Sequence, residues 1–241
     1  MSGKLIKNGI RTDGRKLDEL RPLKIEAGVV ERADGSAYVE FGTTKVMAAV
    51  YGPIKVHPRH MENSRKGILK VRYNMLPFSV YDRKRPGYDR RSVEIAKVVS
   101  EAFESVIFLE EYPKTAIDID MEIIQADAGT RVAAITAASV ALADAGISMK
   151  GLVSSVAGGR VEGNIVLDLT KDEEDVDDAI DLPVAMIART GEITLLQMDG
   201  DATAGEIEKI VKIAEKGCKE IEKAQVEALL KKYSAEAADN R

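Results

Sequence analysis

The sequence predicts an α+β fold with two similar halves, and three observations support this class. Segments whose polarity alternates with period two, as in half-buried strands, fall in two groups on either side of residue 151. A helical segment follows each group. Gly- and Pro-containing turns separate the segments. We therefore divide the chain into two domains, residues 1–150 and residues 151–241.

The first half contains the most regular strand pattern in the chain. Residues 116–124, AIDIDMEII, place isoleucine and methionine on one face and acidic residues on the other. This alternation predicts a strand whose acidic face meets solvent. Residues 37–51 indicate a hairpin, because a turn-like Gly-Thr-Thr separates two apolar runs. The strands predicted in this half are 23–30, 37–51, 69–78 and 116–124.

Helices are predicted in three places. Residues 130–144 are apolar on most sides, which predicts a buried helix that ends near Gly146. A second helix begins at Arg91, where apolar residues recur at helical spacing. The last helix is amphipathic, spans about 206–232 and precedes a polar tail. The strands predicted in the second half are 152–160, 164–169, 182–188 and 192–199, with the tight turn RTGE joining the last two.

Composition argues against several classes of protein. The one cysteine, Cys218, cannot form a disulfide framework. The two histidines, His57 and His60, have no cysteine near them, which favours an exposed loop over a zinc site. No apolar run approaches the ~20 residues that a membrane span needs, and the first fifteen residues lack a signal peptide's apolar core. We expect a soluble cytoplasmic protein with no membrane association.

Charge is distributed unevenly along the chain. The net charge is −5, but residues 55–91 contain eleven basic and three acidic residues, a local net charge of +8. The rest of the chain therefore has a net charge of −13. Such a distribution indicates either a local surface for a polyanion or a solvated charged loop. Composition alone leaves both interpretations open.

Two predicted helices begin with arginine, which is the unfavourable charge at that end. Arg131 opens the helix of 130–144, and Arg90 and Arg91 open the preceding helix. The amides at a helix start carry partial positive charge, so each arginine costs roughly 0.3–1 kcal/mol unless something offsets it. A bound anion reverses the sign, and guanidinium groups match phosphate oxygens well. The alternatives are arginines that extend into solvent or pair with a sheet carboxylate.

A run of aspartates precedes the apolar segment LPVAMIA. Asp175, Asp177, Asp178 and Asp181 lie in this run, and Asp181 directly adjoins the segment that must be buried. A carboxyl group at the mouth of a buried strand can protonate a leaving oxygen or hold a divalent metal. Four aspartates compete for these roles, so residue types alone do not select a pair.

Three stretches resemble a known family, the RNase PH-type phosphorolytic exoribonucleases. They are residues 11–53, the segment QADAGTRVAAITAASVALADAG and the segment EEDVDDAIDLPVAMI. The resemblance covers roughly residues 10–230. The stretches RKGILKVRYNMLPFS and GYDRRSVEIAKV are most similar to the branch found in the archaeal RNA exosome. The resemblance implies an RNase PH-like fold of two βαβα-type halves, related to domain 2 of ribosomal protein S5.

The resemblance also implies an activity and an assembly. Inorganic phosphate attacks single-stranded RNA at its 3′ end and releases nucleoside 5′-diphosphates one at a time, and the reverse reaction adds a tail. The subunits form a hexameric ring, a trimer of heterodimers in which this chain alternates with a related catalytically silent partner. RNA-binding cap subunits sit on one face, and RNA threads the pore.

The family's site residues map onto matching positions of this chain. Asp181 is the general acid that protonates the departing 3′ oxygen, and Asp175 supports it or joins it in holding Mg²⁺. Arg90 contacts RNA, and the basic segment supplies further RNA contacts at Arg65, Lys66 and Arg85, with Arg65 at the narrowest point of the pore. The resemblance assigns phosphate binding to Gly129, Thr130, Arg131 and Arg91.

Three other interpretations remain open. A homohexameric RNase PH that trims transfer RNA ends would share every catalytic residue. A non-catalytic RNA-binding ring subunit is disfavoured, because such subunits usually lose the aspartate pair or the phosphate arginine and this chain has both. A small nucleotide-binding phosphotransferase would need a glycine-rich phosphate loop, and no GxxxxGK[ST] occurs.

Overall fold

The computed structural model describes residues 4–87 and 89–239, which form two main sheets, a short N-terminal strand pair and α-helices. Single 3₁₀ turns occur at Arg59–Met61 and Leu109–Glu111. In chain order the elements are β1 (Ile6–Lys7), β2 (Ile10–Arg11), β3 (Leu23–Ala27), β4 (Gly35–Phe41), β5 (Thr44–Lys55), β6 (Ile68–Met75), α1 (Arg90–Glu104), β7 (Thr115–Gln125), α2 (Thr130–Asp144), β8 (Val153–Val161), β9 (Asn164–Leu167), α3 (Lys171–Glu174), β10 (Ile180–Ile187), β11 (Glu192–Leu196) and α4 (Ala204–Asp239).

The first sheet has five strands in the order β3-β4-β5-β7-β6. Its neighbours are antiparallel except β6 and β7, which are parallel and connected through α1. The acidic side chains of β7 lie on the outer face, where Asp120 pairs with Arg72 at 2.7 Å and Glu122 accepts a hydrogen bond from Asn74 at 2.6 Å. The predicted strand with one polar face is confirmed.

Helix α2 lies between the two sheets. It packs against β4 and β5 on one side and against β8 and β10 of the second sheet, order β11-β10-β8-β9, on the other. Thirteen of its fifteen residues are buried, which confirms the prediction from its apolar surface. The approach to β4 is close: a Cβ on Gly35 would lie 2.2 Å from the backbone nitrogen of Ala145. The second sheet is covered on its other face by α4.

A buried ionic network ties the N-terminal segment to the second sheet. The Asp168 carboxylate is fully buried and accepts hydrogen bonds from the Arg21 backbone at 2.8 Å and its Nη2 at 2.7 Å. Nη1 of Arg15 lies 3.6 Å from the same carboxylate. Nearby, the guanidinium of Arg11 forms a fully buried ion pair with Glu173. The network orders the segment before β3 and fixes α3 against the body of the protein.

The predicted α+β class and the principal elements are confirmed, and several boundaries differ for local reasons. Strand β3 ends before Gly28, whose φ is +73°, and β9 ends before Asp168, whose φ is +55°. Both values lie in the left-handed region, which interrupts a strand. The last helix begins earlier and continues to Asp239, where a polar tail was expected; residues 240 and 241 of that tail lie outside the described residues. The short elements β1, β2 and α3 were not predicted.

No helix in the described ranges combines the length and apolarity that crossing a membrane requires. The division of the chain near Gly151 stays a prediction.

Candidate active site

Gly129, the N-cap residue of α2, has no side chain to cap the backbone amides of the first turn. Gly129 precedes the helix in the left-handed conformation, with φ 62° and ψ 22°, and the first turn contains no acidic residue. Thr130 is buried, and its hydroxyl accepts a hydrogen bond from the Tyr73 hydroxyl at 2.9 Å. Open amides at the positive end of a helix dipole favour an anion.

Arg131 adopts neither of the alternatives considered from the sequence, solvent or a sheet carboxylate. Its Nη1 donates a hydrogen bond to the side-chain oxygen of Gln197, and its Nε is buried with no hydrogen-bond partner among the described residues. Gln197 follows β11, and its backbone N–H donates to the Pro183 carbonyl of β10 at 3.2 Å. The guanidinium is therefore held against the second sheet.

Asp181, the second residue of β10, extends from the sheet face that meets α2. In the ladder it pairs with Gly159 of β8, while the next pair along joins Leu182 to Gly158. A Cβ on Gly158 would lie 2.6 Å from Ile210 of α4, so that pair faces α4. Because alternate residues of a strand point to opposite faces, Asp181 points toward α2.

The electrostatic surroundings of Asp181 show which groups lie near it. Burial raises the pKa of this carboxyl to about 6, against the lowering effects of Arg131 and Arg91, and the neighbouring Asp199 adds a further raising effect. The Oδ1 atom of Asp181 is buried and has no hydrogen-bond partner in the described ranges. The charges of Arg131 and Arg91 therefore act on Asp181, while the catalytic and phosphate-binding roles of these residues stay predictions.

Helix α1 brings Arg91 to this site. Asp89 caps the helix by accepting a hydrogen bond from the Ser92 backbone at 2.7 Å. Arg90 and Arg91 occupy the first turn with exposed side chains. The Arg91 charge also acts on Tyr73, whose pKa is raised because burial outweighs the lowering effects of Thr130 and the arginines.

The structure places Asp175 differently from Asp181. The Asp175 side chain is 61% exposed and forms an ion pair with Lys171, one helical turn away. Its neighbour Glu174 faces inward: the carboxyl lies against the backbone N–H of Gly129, and burial together with Asp181 raises its pKa to about 7. The role of Asp175 as partner of Asp181 stays a prediction. The carboxyls whose charges are coupled to that of Asp181 are those of Glu174 and Asp199.

A Mg²⁺ ion held by Asp175 and Asp181 would require the Lys171–Asp175 ion pair to open. Across residues 4–87 and 89–239, no three His, Cys, Asp or Glu side chains are grouped so that they could hold a metal. The Mg²⁺ site at Asp175 and Asp181 stays a prediction.

The predicted RNA-binding residues lie at both ends of β6. Arg85 belongs to the loop 76–89, which leads directly into α1. Arg65 and Lys66 lie before the first residue of the strand, and their side chains are exposed or half-exposed. Strand β6, whose eight residues span roughly 26 Å, therefore lies between the two groups in the chain.

Three residues of the site were missed at the level of sequence: Tyr73, Glu174 and Gln197. A buried tyrosine needs a partner for its hydroxyl, so Tyr73 in a predicted strand was a detectable signal. Thr170 and Glu173 match the capping box and form it, which fixes where α3 begins and hence which way Glu174 points. Gln197 gives no signal, because its role depends on an arginine 66 residues away.

The arrangement combines an anion seat with a proton source. Open amides and two arginines can neutralise a phosphate, and a carboxyl with a raised pKa can retain a proton near neutral pH. Transfer of a phosphoryl-type group needs both functions: charge stabilisation for the reacting oxygens and a proton for the leaving oxygen.

Two family models match most of the chain. The model of domain 1 of the 3′ exoribonuclease family (RNase PH) matches residues 19–148, and the model of domain 2 of the same family matches residues 151–217. The exosome complex component Rrp41 of Methanopyrus kandleri is 58% identical over 229 residues, which is 95% of each chain. Proteins of the same name from Archaeoglobus fulgidus and Thermococcus onnurineus are 55% and 58% identical, covering 95% and 94% of this chain and 90% of theirs.

Solved structures share the fold. Rice Rrp46 superposes with a TM-score of 0.80 at 24% identity, over 89% of this chain and 97% of that chain. The Archaeoglobus fulgidus exosome with RNA bound to the active site gives a TM-score of 0.74 at 22% identity, over 89% and 92%. The expected RNase PH-like fold is therefore confirmed, and with both family models matched in order the chain belongs to the RNase PH family of 3′ exoribonucleases.

Proposed function

We propose that this chain is the catalytic RNase PH-like subunit of an archaeal exosome and shortens RNA from its 3′ end by phosphorolysis. The observation that carries the proposal is the half-buried Asp181, with its raised pKa, beside Arg131 and Arg91 at the open start of α2. The name Rrp41, which relatives at 55–58% identity bear, supports the assignment to an exosome.

The reaction follows from this arrangement. Inorganic phosphate, seated by Arg131, Arg91 and the α2 amides, attacks the phosphorus of the last internucleotide linkage through one oxygen. A new P–O bond forms, the bond from phosphorus to the 3′ oxygen breaks, and that oxygen leaves with the electron pair. Asp181 supplies the proton that the oxygen takes up. The products are a nucleoside 5′-diphosphate and an RNA one residue shorter with a free 3′ hydroxyl.

The reacting groups explain why the site is cationic. Phosphate and the RNA phosphodiester are both anions, so bringing them into contact is unfavourable unless nearby positive charge offsets the repulsion. Fixed donors in a partly desolvated site stabilise such charge far better than water does. Because the attacking group is phosphate rather than water, the reaction is phosphorolysis and not hydrolysis, and it conserves the bond energy needed for reversal as tailing.

The proposal includes the assembly that the family resemblance implies. Single-stranded RNA reaches the site along the basic segment, past Arg65 and Lys66 before β6 and Arg85 after it. The chain alternates with a related non-catalytic subunit in a hexameric ring that carries RNA-binding cap subunits in the cytoplasm. Backbone contacts of this kind bind RNA without sequence preference and weaken as salt rises.

The identity of the released nucleotide tests the reaction. RNA labelled at its last internucleotide phosphate, incubated with the chain and phosphate, should release a labelled nucleoside 5′-diphosphate, and omission of phosphate should abolish release. Thin-layer chromatography separates diphosphates from monophosphates. Release of monophosphates would overturn phosphorolysis. The same assay with and without the partner subunit distinguishes an exosome subunit from a homohexameric tRNA-trimming enzyme, which is active alone.

Replacing Arg131 tests the phosphate seat. Loss of a charged hydrogen bond costs about 1.5–3 kcal/mol, so Arg131→Ala should raise the KM for phosphate roughly 10- to 150-fold. The matched control is Arg189→Ala, because Arg189 is exposed in the turn at the far end of β10. Rates of RNA decay measured against phosphate concentration give the KM. An Arg131→Ala enzyme with unchanged phosphate dependence would refute the assignment.

A further inference from the structure

Two aromatic side chains are strongly exposed in the loop that joins β6 to α1. Phe78 is 70% exposed and Tyr81 is fully exposed. Single exposed apolar residues are common on protein surfaces. Two large rings three positions apart on one loop, however, form a local apolar surface. The catalytic scheme above does not use either ring.

The loop that carries these rings is anchored. The Lys84 backbone N–H donates to the Pro77 carbonyl at 3.1 Å, which closes the loop around Phe78 and Tyr81. Ser79, between the rings, is buried, and its carbonyl accepts a hydrogen bond from the Ala126 backbone at 2.8 Å. The rings therefore project from a fixed support, which keeps the entropic cost of ligand binding low.

The anchors of the loop are elements of the active site. Ala126 lies three residues before Gly129, on the connection into α2. The Lys84 ammonium group donates to the carboxylate of Asp89 at 2.5 Å, and Asp89 caps the helix that carries Arg91. At its other end the loop follows β6, the strand of Tyr73. The rings thus border the site rather than a distant surface.

The charges beside the rings identify the kind of ligand. Arg83 and Arg85 flank Lys84 and are exposed. The acidic residues of the loop are Asp82 and Asp89, and the second of these is already paired with Lys84. A surface that offers aromatic faces beside exposed cations matches single-stranded nucleic acid, which has a stackable base and an anionic phosphate at every step. An apolar protein interface would exclude charges from the patch centre.

We propose that Phe78 and Tyr81 form a stacking surface for the RNA bases just 5′ of the nucleotide being removed. The proposal rests on the proposed function, since it assigns a role to the strand that this function requires. Every base has a π face, so stacking holds RNA of any sequence. Arg83 and Arg85, which follow the rings in the chain, neutralise the phosphates between the stacked bases. The surface keeps the shortened 3′ end near the site between successive steps.

RNA binding without phosphate tests the stacking surface directly. The full-length chain and its Phe78→Ala and Tyr81→Ala variants are compared by fluorescence anisotropy on two RNAs of equal length, one normal and one abasic at the second to fourth nucleotides from the 3′ end. Each alanine variant should bind the normal RNA roughly 5- to 150-fold more weakly and the abasic RNA within twofold of wild type. Phe78→Tyr and Tyr81→Phe, which keep the rings, should bind normally.

Three results would overturn the stacking surface. The first is that the alanine variants bind normal RNA with wild-type affinity. The second is that their affinities for abasic and normal RNA fall by the same factor. A change in the mass of the assembled complex by native mass spectrometry would assign the rings to a subunit contact instead. Failure of the proposed function has a different signature, because wild-type protein would then bind RNA and release no diphosphate when phosphate is added.

Discussion

Asp181→Asn should lower the turnover number about 10²- to 10⁴-fold and leave the KM for phosphate and the binding of RNA within a few-fold of wild type. The amide keeps the shape of the side chain but is far too weak an acid to protonate the leaving oxygen. Single-turnover decay of a labelled RNA measures the chemical step, and anisotropy measures RNA binding. If the variant retains more than a tenth of the wild-type rate, Asp181 is not the general acid.

The pH dependence of the wild-type enzyme provides a second measure of the same role. Burial raises the pKa of Asp181 to about 6, and a general acid acts in its protonated form. The turnover number of wild type should therefore fall as pH rises through this value. The Asn variant should not show this fall. Ionisation of a group whose pKa is raised on folding destabilises the folded state. The melting temperature of Asp181→Asn at pH 7 should therefore equal or exceed that of wild type.

Asp175→Asn is the matched comparison for Asp181→Asn, because both remove one carboxylate from the same segment. The structure holds Asp175 in an exposed ion pair with Lys171, and a contribution of that pair to stability is small. A rate loss for Asp175→Asn as large as that for Asp181→Asn would mean that the ion pair opens and Asp175 enters the site during reaction. A near-normal rate would leave Glu174 as the second carboxyl beside Asp181.

Asp168→Ala should lower the free energy of unfolding by about 3–5 kcal/mol. Asp168 is fully buried and forms an ion pair with the guanidinium of Arg21. Removing the carboxylate leaves the Arg21 charge inside the protein without this counterion. Alanine also adopts the left-handed backbone of this position, φ +55°, less readily than aspartate does. Denaturation in guanidinium chloride, followed by circular dichroism, measures the change.

Two variants define what the Asp168 result means. Asp168→Asn keeps the shape and the tolerance of the left-handed conformation, so it should destabilise the protein less than alanine and isolate the effect of charge. Asp18→Ala removes a surface partner of Lys216 and should leave the unfolding midpoint nearly unchanged, because exposed ion pairs contribute little. An Asp168→Ala protein within about 1 kcal/mol of wild type would show that the buried network is not needed for stability.

The parts of the fold that the sequence predicted well are those with a local cause. The limits of α2, residues 130–144, could be predicted because a glycine precedes a long apolar run and another follows it. The alternation of β7 and the turn between β4 and β5 are local in the same sense. Arg131 and Asp181 could be identified because each contradicts its local surroundings, a cation at a helix start and an acid beside a buried strand.

The parts that could not be predicted depend on contacts between distant residues. The capping box of α3 is visible in the sequence, but the burial of Glu173 in its ion pair with Arg11, 162 positions earlier, is not. The Tyr73 hydroxyl reaches its partner across 57 positions. The family resemblance selects Asp175 and Asp181, but only tertiary packing determines which carboxyl of the run faces inward.

The placement of α2 between the two sheets has a consequence for any shortened form of this protein. A fragment that stops before Gly151 would keep the arginines and lose the acid, and a fragment that begins there would keep the acid and lose the arginines. Neither fragment contains all the groups that the proposed reaction uses. A truncated relative or a half-length ancestor would have to pair with a complementary half before it possessed both groups.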